Sequence, residues 1–233
     1  MNVYDLIAEH YSELFPLETE KLEFIQHICP LPGRLCDAGC ATGELAMGLY
    51  QKGYDICGLD LNEKMIGIAE KKASCIRKTG ELMFYHADIA DIMQFGKFKG
   101  VLCFGNTLPH LHDEEALRRF FGSVYRSLEE HGIFIVEVLN YDRILTEKKM
   151  DFKDKETKDF IFKRHYDFLP DGDIRFTIEF TDKQRSTVGS DFTVLHPLKR
   201  QMLLALFKQA GFKSVSAYSD YSFTESRAED YAV

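Results

Sequence analysis

Residues 34–45 read RLCDAGCATGEL. The first five form a short, mostly apolar strand. The small residues GCATG then allow a tight turn, and GELAMGLYQKG (43–53) reads as a helix closed by Gly53. A strand turning directly into a helix is the opening unit of a parallel α/β sheet, and its turn borders the ligand crevice of such a sheet. Small residues let the backbone approach a ligand closely. The helix start beyond them adds free N–H donors and a partial positive charge of about half a unit.

The same rhythm continues outward from this turn. YDICGLD (54–60) is a second strand, and Asn62 caps a helix that runs to Gly80. ELMFYHAD (81–88) and GVLCFGN (100–106) are third and fourth strands. HDEEALRRFFGSVYRSLEEHG (112–132) is a helix with acids in its first turn, and GIFIVEVLN (132–140) is a fifth, near-continuously apolar strand. Upstream, residues 3–14 and 18–29 read as helices. Downstream, residues 140–195 break the pattern. FIFKRHYDF (160–168) and DIRFTIEFTDK (173–183) flank Pro170-Asp171-Gly172 and predict an antiparallel hairpin, with a third strand near STVGSDFTVLH (186–196). LKRQMLLALFKQAGF (198–212) resumes a helix, FKSVSAYS (212–219) a strand, and EDYAV (229–233) a last short strand. The chain therefore divides into a sheet domain, 1–139 with 196–233, and an antiparallel β insertion, 140–195, that caps it.

The turn itself excludes one ligand class. A nicotinamide-type fingerprint needs glycine at 39, 41 and 44, where this chain has Gly39, Ala41 and Glu44. Glu44 would set a carboxylate where a pyrophosphate must sit. A cofactor without phosphate and with a cationic amino acid end suits the turn better. Asp60 closes the second strand, where an acid can accept from both hydroxyls of a ribose. Asp88 follows the third, where it can accept from an adenine amino group. Each alone also reads as a helix cap or a surface acid; two at the ends of successive strands are harder to explain that way.

Taken in order, DAGCATGEL (37–45), GLDLNEKMI (58–66), HADI (86–89) and VLCFGNTLPHL (101–111) resemble the successive motifs of class I S-adenosylmethionine-dependent methyltransferases. The resemblance covers about the first 140 residues and resumes at QMLLALFKQAGF. It implies a Rossmann-like, doubly wound, mostly parallel sheet whose small antiparallel β insertion caps the active site. It implies that Asp37, Gly39, Cys40, Ala41, Thr42 and Gly43 wrap the methionine end of S-adenosylmethionine, with Asp37 holding the loop and its amino group. It further implies that Asp60 binds the ribose, that Leu61 and Met65 pack on the adenine, and that Ala87, Asp88 and Ile89 read its edge. Phe104, Gly105 and Asn106 pass beneath the sulfonium. Ala41 replaces the family's second glycine. GNTLPHL, the start VYDLIAEHYSELF (3–15) and the β-rich insertion resemble glycine- and sarcosine-type N-methyltransferases, which implies a small-molecule acceptor.

Near the transferable methyl, His110 and Asn106 are the candidate catalytic residues. His110 either orients the acceptor or takes its proton, or merely bonds a loop. In the insertion, Phe160, Phe162, Arg164, Tyr166 and Phe168 share one face by the strand's period of two. A cation on that aromatic face needs a partner, either a substrate carboxylate or an internal acid. Arg175 falls on the polar side. Tyr4 and Tyr11 close over the site or form the apolar face of a docking helix.

Composition narrows the partners. The 233 residues are 45% apolar and 28% charged, with a formal net charge of -8. That balance is globular, and its sign argues against nucleic acid, whose phosphates select basic surfaces. Lys148, Lys149, Lys153 and Lys155 are interleaved with acids and read as a solvated face. The N-terminal stretch lacks a secretory pattern, and no run of ~18 apolar residues predicts a membrane span. Six cysteines, none in a CxxC pair, read as free thiols of a reducing compartment, which places the protein in the cytoplasm. No metal is expected, because His110-Leu111-His112 lacks a third ligand. The expected assembly is a monomer or homodimer. A macromolecular acceptor and a non-catalytic cofactor-binding protein are the alternatives.

Overall fold

The computed structural model describes residues 3–149, 151–183 and 187–226. Its centre is a five-stranded parallel sheet: β1 (Arg34–Ala38), β2 (Asp55–Asp60), β3 (Leu82–His86), β4 (Phe98–Cys103) and β5 (Leu128–Val136), ordered β3-β2-β1-β4-β5. Alternate residues feed two cores, as a sheet covered on both faces requires. Leu35, Ile56 and Leu102 pack with α2 (Thr19–Ile28), α3 (Glu44–Gln51) and α4 (Glu63–Ala73). Cys36, Cys57, Val101 and Cys103 pack on the other face with α5 (Glu114–Ser127) and α7 (Arg200–Ala210). The order turns back between β1 and β4, so the turns after these two strands open toward one crevice.

Local chemistry sets the helix starts. Asn62 accepts the Met65 N–H at 3.0 Å, and Asp113 accepts that of Ala116 at 2.7 Å. α5 is shorter than the sequence predicts. It stops at Ser127, and residues 128–131, read above as helix, already belong to β5. Phe98 pairs with Leu128 but Gly100 with Ile133, so a bulge absorbs the polar Glu129, Glu130 and His131.

The insertion holds more than a hairpin. α6 (Tyr141–Glu147), which the polar sequence after β5 does not announce, starts at Asn140. A four-stranded antiparallel sheet follows, ordered β6-β7-β8-β9: β6 (Lys155–Glu156), β7 (Phe160–Phe168), β8 (Ile174–Asp182) and β9 (Thr187–Leu195). The turn at Gly172 takes a φ of +96°.

Two further expectations are corrected. Residues 3–14 form two short 3-10 turns, Val3–Leu6 and Ala8–His10, and a single α turn, α1 (Tyr11–Leu14), in place of one helix. Val3, Ile7 and Leu14 are buried with Phe162, Ile178 and Phe180 of the insertion sheet, while Asp5 reaches Asn62 and Ser12 reaches Glu44. A segment held on two sides has no single apolar stripe to favour a regular helix. Residues 212–219 form no strand, only an isolated bridge between Tyr218 and Glu225. Val215 is 41% exposed between Ser214 and Ser216, so this stretch lacks the apolar face that would seat it against the sheet. Residues 229–233 lie outside those described.

Candidate active site

The turns after β1 and β4, the N-terminal segment, the start of α2 and the inner face of β7 and β8 enclose a cavity of about 420 Å³. Of the residues singled out in the sequence, Tyr4, Tyr11, Asp37, Gly39, Cys40, Ala41, Phe104, Gly105, Asn106 and Arg164 line it. A larger hollow of about 1100 Å³ runs along the free edge of β5 beneath residues 211–221 and shares only Phe104 and Glu137 with the first.

The β1 turn has little room for side chains. Gly39 has a φ of +85°, and a Cβ there would stand 2.5 Å from Thr107 of the β4 turn. Gly43, at +84°, would press a Cβ to 2.8 Å from Phe84. Ala41 also lies in the left-handed region, at +46°. That conformation costs an ordinary residue roughly 1–2 kcal/mol, while glycine gives back roughly 0.5–1 kcal/mol in chain entropy. Ala41→Gly is therefore expected to stabilise the protein by about 0.5–1 kcal/mol in urea unfolding. A loss of stability would show that the alanine methyl packs usefully.

Asp37 is 3% exposed, and its Oδ2 has no hydrogen-bond partner among the described residues. Burial raises its carboxyl to about 7, against the pull of Lys21. Asp60 accepts the backbone N–H of Ala41 at 2.8 Å through Oδ2 and that of Asn62 at 2.9 Å through Oδ1. Beside it Leu61 is 66% exposed, its carbonyl within 3.1 Å of His86 Nε2, and Met65 is buried below. Asp88 Oδ1 accepts the Ala90 N–H at 2.8 Å, and its Oδ2 lies 3.9 Å from Arg119. Ala87 and Ile89 join the core on the α5 side. Thr42 is buried and donates to Glu44 at 2.6 Å. Glu44 lines the cavity and also accepts from Ser12 and Lys72. Burial would raise its carboxyl, but these three hydrogen bonds prevail and hold it below its usual value.

An orphaned buried carboxylate oxygen, an acid with unused lone pairs and an exposed apolar side chain lie along the ends of β1 and β2. They suit an ammonium, a polyol and a flat ring respectively. The cations that line the cavity, Lys21, Lys155 and Arg164, stand on three separate elements, α2, β6 and β7. The residues therefore fit a nucleoside joined to an amino acid.

The β4 turn is braced from above. Asn106, at a φ of +64°, donates to Tyr141 Oη at 2.8 Å and accepts the Leu139 N–H at 3.2 Å. Its side chain thus fixes the turn against the insertion. His110 does not line the cavity. It sits behind Tyr4, whose hydroxyl is 2.9 Å from His110 Nε2. Burial, with a smaller contribution from His112, depresses the imidazole to about 4. This imidazole is a weak base at neutral pH.

The sign of the His110 shift gives a stability prediction. Its folded pKa lies below the usual 6.5, so the unfolded chain takes up a proton first as pH falls. The stability tied to neutral His110 is complete above about 6.5 and is lost between there and about 4. Urea unfolding of the wild type should decline through that window more steeply than that of His110→Gln. Parallel curves would mean that the histidine titrates normally.

Residues the sequence reading missed complete the cavity. Lys21, from α2, lies 3.5 Å from Glu137 and 5.0 Å from the Phe104 ring centroid. Glu137 follows the last residue of β5 and accepts the Gly105 N–H at 3.1 Å. The sequence reading carries this strand on to residue 140, so Glu137 falls within it there, and only the observed end at Val136 sets the acid at the strand end. Lys155 donates to the Leu14 carbonyl at 2.6 Å, with its Nζ 4.2 Å from the Phe15 ring centroid. Arg164 occupies the aromatic face of β7 as the alternation predicts. Its guanidinium carbon lies 5.2 and 5.6 Å from the Phe152 and Phe162 ring centroids. Nη2 donates to the Lys153 carbonyl at 3.2 Å, but Nε is buried without a partner among the described residues. Burial lowers the guanidinium from its ordinary value, and Asp154 acts on it only at longer range. Arg175 is exposed, over Phe192.

Comparison with known proteins agrees with this geometry. Residues 35–132 match a methyltransferase domain model. A glycine/sarcosine N-methyltransferase of Aphanothece halophytica is 30% identical over 196 residues, covering 82% of this chain and 70% of that one. The chain belongs to the class I S-adenosylmethionine-dependent methyltransferases. A glycine/sarcosine N-methyltransferase of Halorhodospira halochloris is 26% identical over 203 residues, covering 82% and 69% of the two chains. Among solved structures, an S-adenosylmethionine-dependent methyltransferase of Clostridium acetobutylicum superposes with a TM-score of 0.79 at 19% identity, over 99% of this chain and 96% of that one. The methyltransferase thus uses S-adenosylmethionine as its cofactor. Among the described residues, no helix is long and apolar enough to cross a membrane, and no cluster of three or more His, Cys, Asp or Glu can hold a metal.

Proposed function

We propose that this methyltransferase methylates the nitrogen of a small amine that also carries a carboxylate. The observation that carries this is Arg164, a half-buried guanidinium whose buried Nε has no partner among the described residues, lining the same cavity as the β1 and β4 turns. A buried cation without an acid is costly, and a planar carboxylate matches its donor fork. Two relatives that align along four-fifths of the chain are named glycine/sarcosine N-methyltransferases, which supports an amino acid-like acceptor.

In this reading Gly39, Cys40, Ala41, Thr42 and Gly43 enclose the amino acid end of the cofactor, and Asp60 holds the ribose. Leu61 and Met65 cover one side of the adenine, while Ala87, Asp88 and Ile89 border its edge. Phe104, Gly105 and Asn106 run beneath the reacting centre. The cofactor, when bound, supplies an electrophilic methyl group. The chain's part is alignment, which can be worth roughly 7–11 kcal/mol. Tyr4 and Tyr11 close the cavity from the N-terminal side, and His110 acts through Tyr4 as a positioning residue. An amine needs only to be neutral to react, whereas a hydroxyl acceptor needs a base. A histidine held at about 4 behind Tyr4 is a poor one, which favours nitrogen over oxygen. A cavity roofed by the chain's own β insertion, in an acidic protein, favours a small acceptor over RNA or protein.

The test is S-adenosylhomocysteine production with a panel of amino acids, matched amines lacking the carboxylate, and hydroxy acids. Turnover is expected with members of the first group, weakly or not at all with the second, and not with the third. Equal turnover of amines without a carboxylate, or methyl label entering only macromolecules of an extract, would overturn the proposal.

A further inference from the structure

Lys155 and Arg164 are two cations on one face of the insertion sheet. β6 pairs Lys155 with Phe162 of β7, and Arg164 lies two residues beyond Phe162. Residues directly opposite, and residues two apart on one strand, share a face, so these side chains are diagonal neighbours beside Phe162. Both line the cavity that the β1 and β4 turns enclose. Lys155, which the sequence assigns to a solvated basic stretch, is thus turned inward. Its Nζ lies over the Phe15 ring, and Phe15 meets Phe162 edge-to-face at 5.8 Å between centroids. One backbone carbonyl anchors each cation, that of Leu14 for Lys155 and that of Lys153 for Arg164. Neither makes an ion pair among the described residues. Glu18 acts on Lys155, and Asp154 on Arg164, only at longer range. Burial lowers the Lys155 ammonium from its ordinary value, and the neighbouring charge of Arg164 lowers it further.

Like charges side by side on a sheet are unfavourable, and desolvation without a paired acid adds to the cost. The other lining acids, Asp37, Glu44 and Glu137, belong to the sheet domain and not to this face. An ammonium has three donors and a guanidinium five, so each cation keeps donors to spare after its one carbonyl. A ligand with two negative groups would relieve the repulsion and fill those donors. The cations stand on different strands and are tied to different carbonyls, which suits two acids on one carbon chain better than a single anion. Resting on the reading of the acceptor as a carboxylated amine, we propose that it is a dicarboxylic amino acid, with one carboxylate on Arg164 and the other on Lys155. Lys155 is then a specificity-determining residue. Its hydrogen bond to Leu14 positions it, and its charge separates acidic amino acids from neutral ones.

The experiment measures kcat and KM for aspartate and glutamate, for their neutral amides asparagine and glutamine, and for glycine, at saturating S-adenosylmethionine. It is run on the wild type, Lys155→Met and Lys155→Gln, with unfolding curves of each free protein. The wild type is expected to prefer at least one acid over its own amide by about ten-fold or more in kcat/KM, mainly through KM, the scale of one charged hydrogen bond. In Lys155→Met that ratio should fall to within about two-fold of unity. Lys155→Gln keeps a donor for the Leu14 carbonyl but no charge, and should lose the preference as well, which a merely structural lysine would not do. Equal kcat/KM for acid and amide in the wild type, or a preference that survives in both variants, would overturn the proposal. So would turnover of glycine with neither acid. These results would leave a carboxylated amine as the acceptor. Should neither variant fold, the wild-type ratio of acid to amide decides alone. Turnover of no amino acid would overturn the proposal together with the reading on which it rests.

Discussion

Asp60→Ala is expected to weaken S-adenosylhomocysteine binding by at least about a hundred-fold in a protein that still folds. A carboxylate offers about four lone-pair sites. Asp60 spends one on the Ala41 N–H and one on the Asn62 N–H, so it can still receive two ribose hydroxyls. Hydrogen bonds to a charged acceptor are each worth roughly 1.5–3 kcal/mol, so two together account for a factor of about 10² to 10⁴. The substitution also frees the Ala41 N–H and with it the left-handed residue of the β1 turn, which loosens the loop at the amino acid end of the cavity. Asp60→Asn separates these effects. It keeps an acceptor for Ala41 but loses the charge, and should fall between wild type and alanine. Burial raises the Asp60 carboxyl while its backbone hydrogen bonds lower it, so removing it also relieves a desolvated charge and should not unfold the protein. Calorimetric titration with parallel unfolding curves measures both quantities. Affinity within a few-fold of wild type would show that the acid only caps the turn.

The central sheet was legible because its strands alternate between two apolar cores, and because the helices after β2 and β4 start at side chains that cap them. Asn62 caps as expected, while Asp113, read as an acid of the first turn, is itself the cap. The β1 turn was legible because its glycines answer to local geometry: Gly43 has a positive φ and Phe84 behind it. What escaped depended on tertiary placement. Lys21 sits on a helix whose pattern shows only an amphipathic face, and nothing local reports that this helix starts beside Asp37. His110 is next to the β4 turn in sequence, yet Tyr4, more than a hundred residues upstream, comes between it and the cavity. The bulge in β5 and the irregular N-terminal segment follow from contacts made at long range. Glu137 is different. Its apolar flanks, Val136 before it and Val138-Leu139 after it, extend the apparent strand past its real end at Val136 and hide the acid within it.

Arg164→Met should reduce kcat/KM for a carboxylated amine about a hundred- to ten-thousand-fold while leaving S-adenosylhomocysteine affinity within about two-fold of wild type. A two-bond guanidinium–carboxylate contact, at roughly 1.5–3 kcal/mol for each bond, sets that scale. Kinetics alone would not separate a substrate ligand from a structural ion pair, but stability does. Breaking a buried internal pair typically costs about 3–5 kcal/mol, because one charge is left without its partner. Arg164 has no carboxylate partner among the described residues. It holds only the Lys153 carbonyl and the faces of Phe152 and Phe162. Replacing it with methionine removes a desolvated charge and keeps most of the apolar volume, at the loss of two cation–π contacts worth roughly 0.5–1 kcal/mol each. The free protein should therefore stay within about 1 kcal/mol of wild-type stability, or gain slightly. Arg164→Lys should keep the charge but recover only part of the activity, since an ammonium cannot reproduce the planar fork. A large loss of stability with little change in KM would instead make Arg164 a structural residue of the insertion, and the acceptor would have to be sought without a carboxylate.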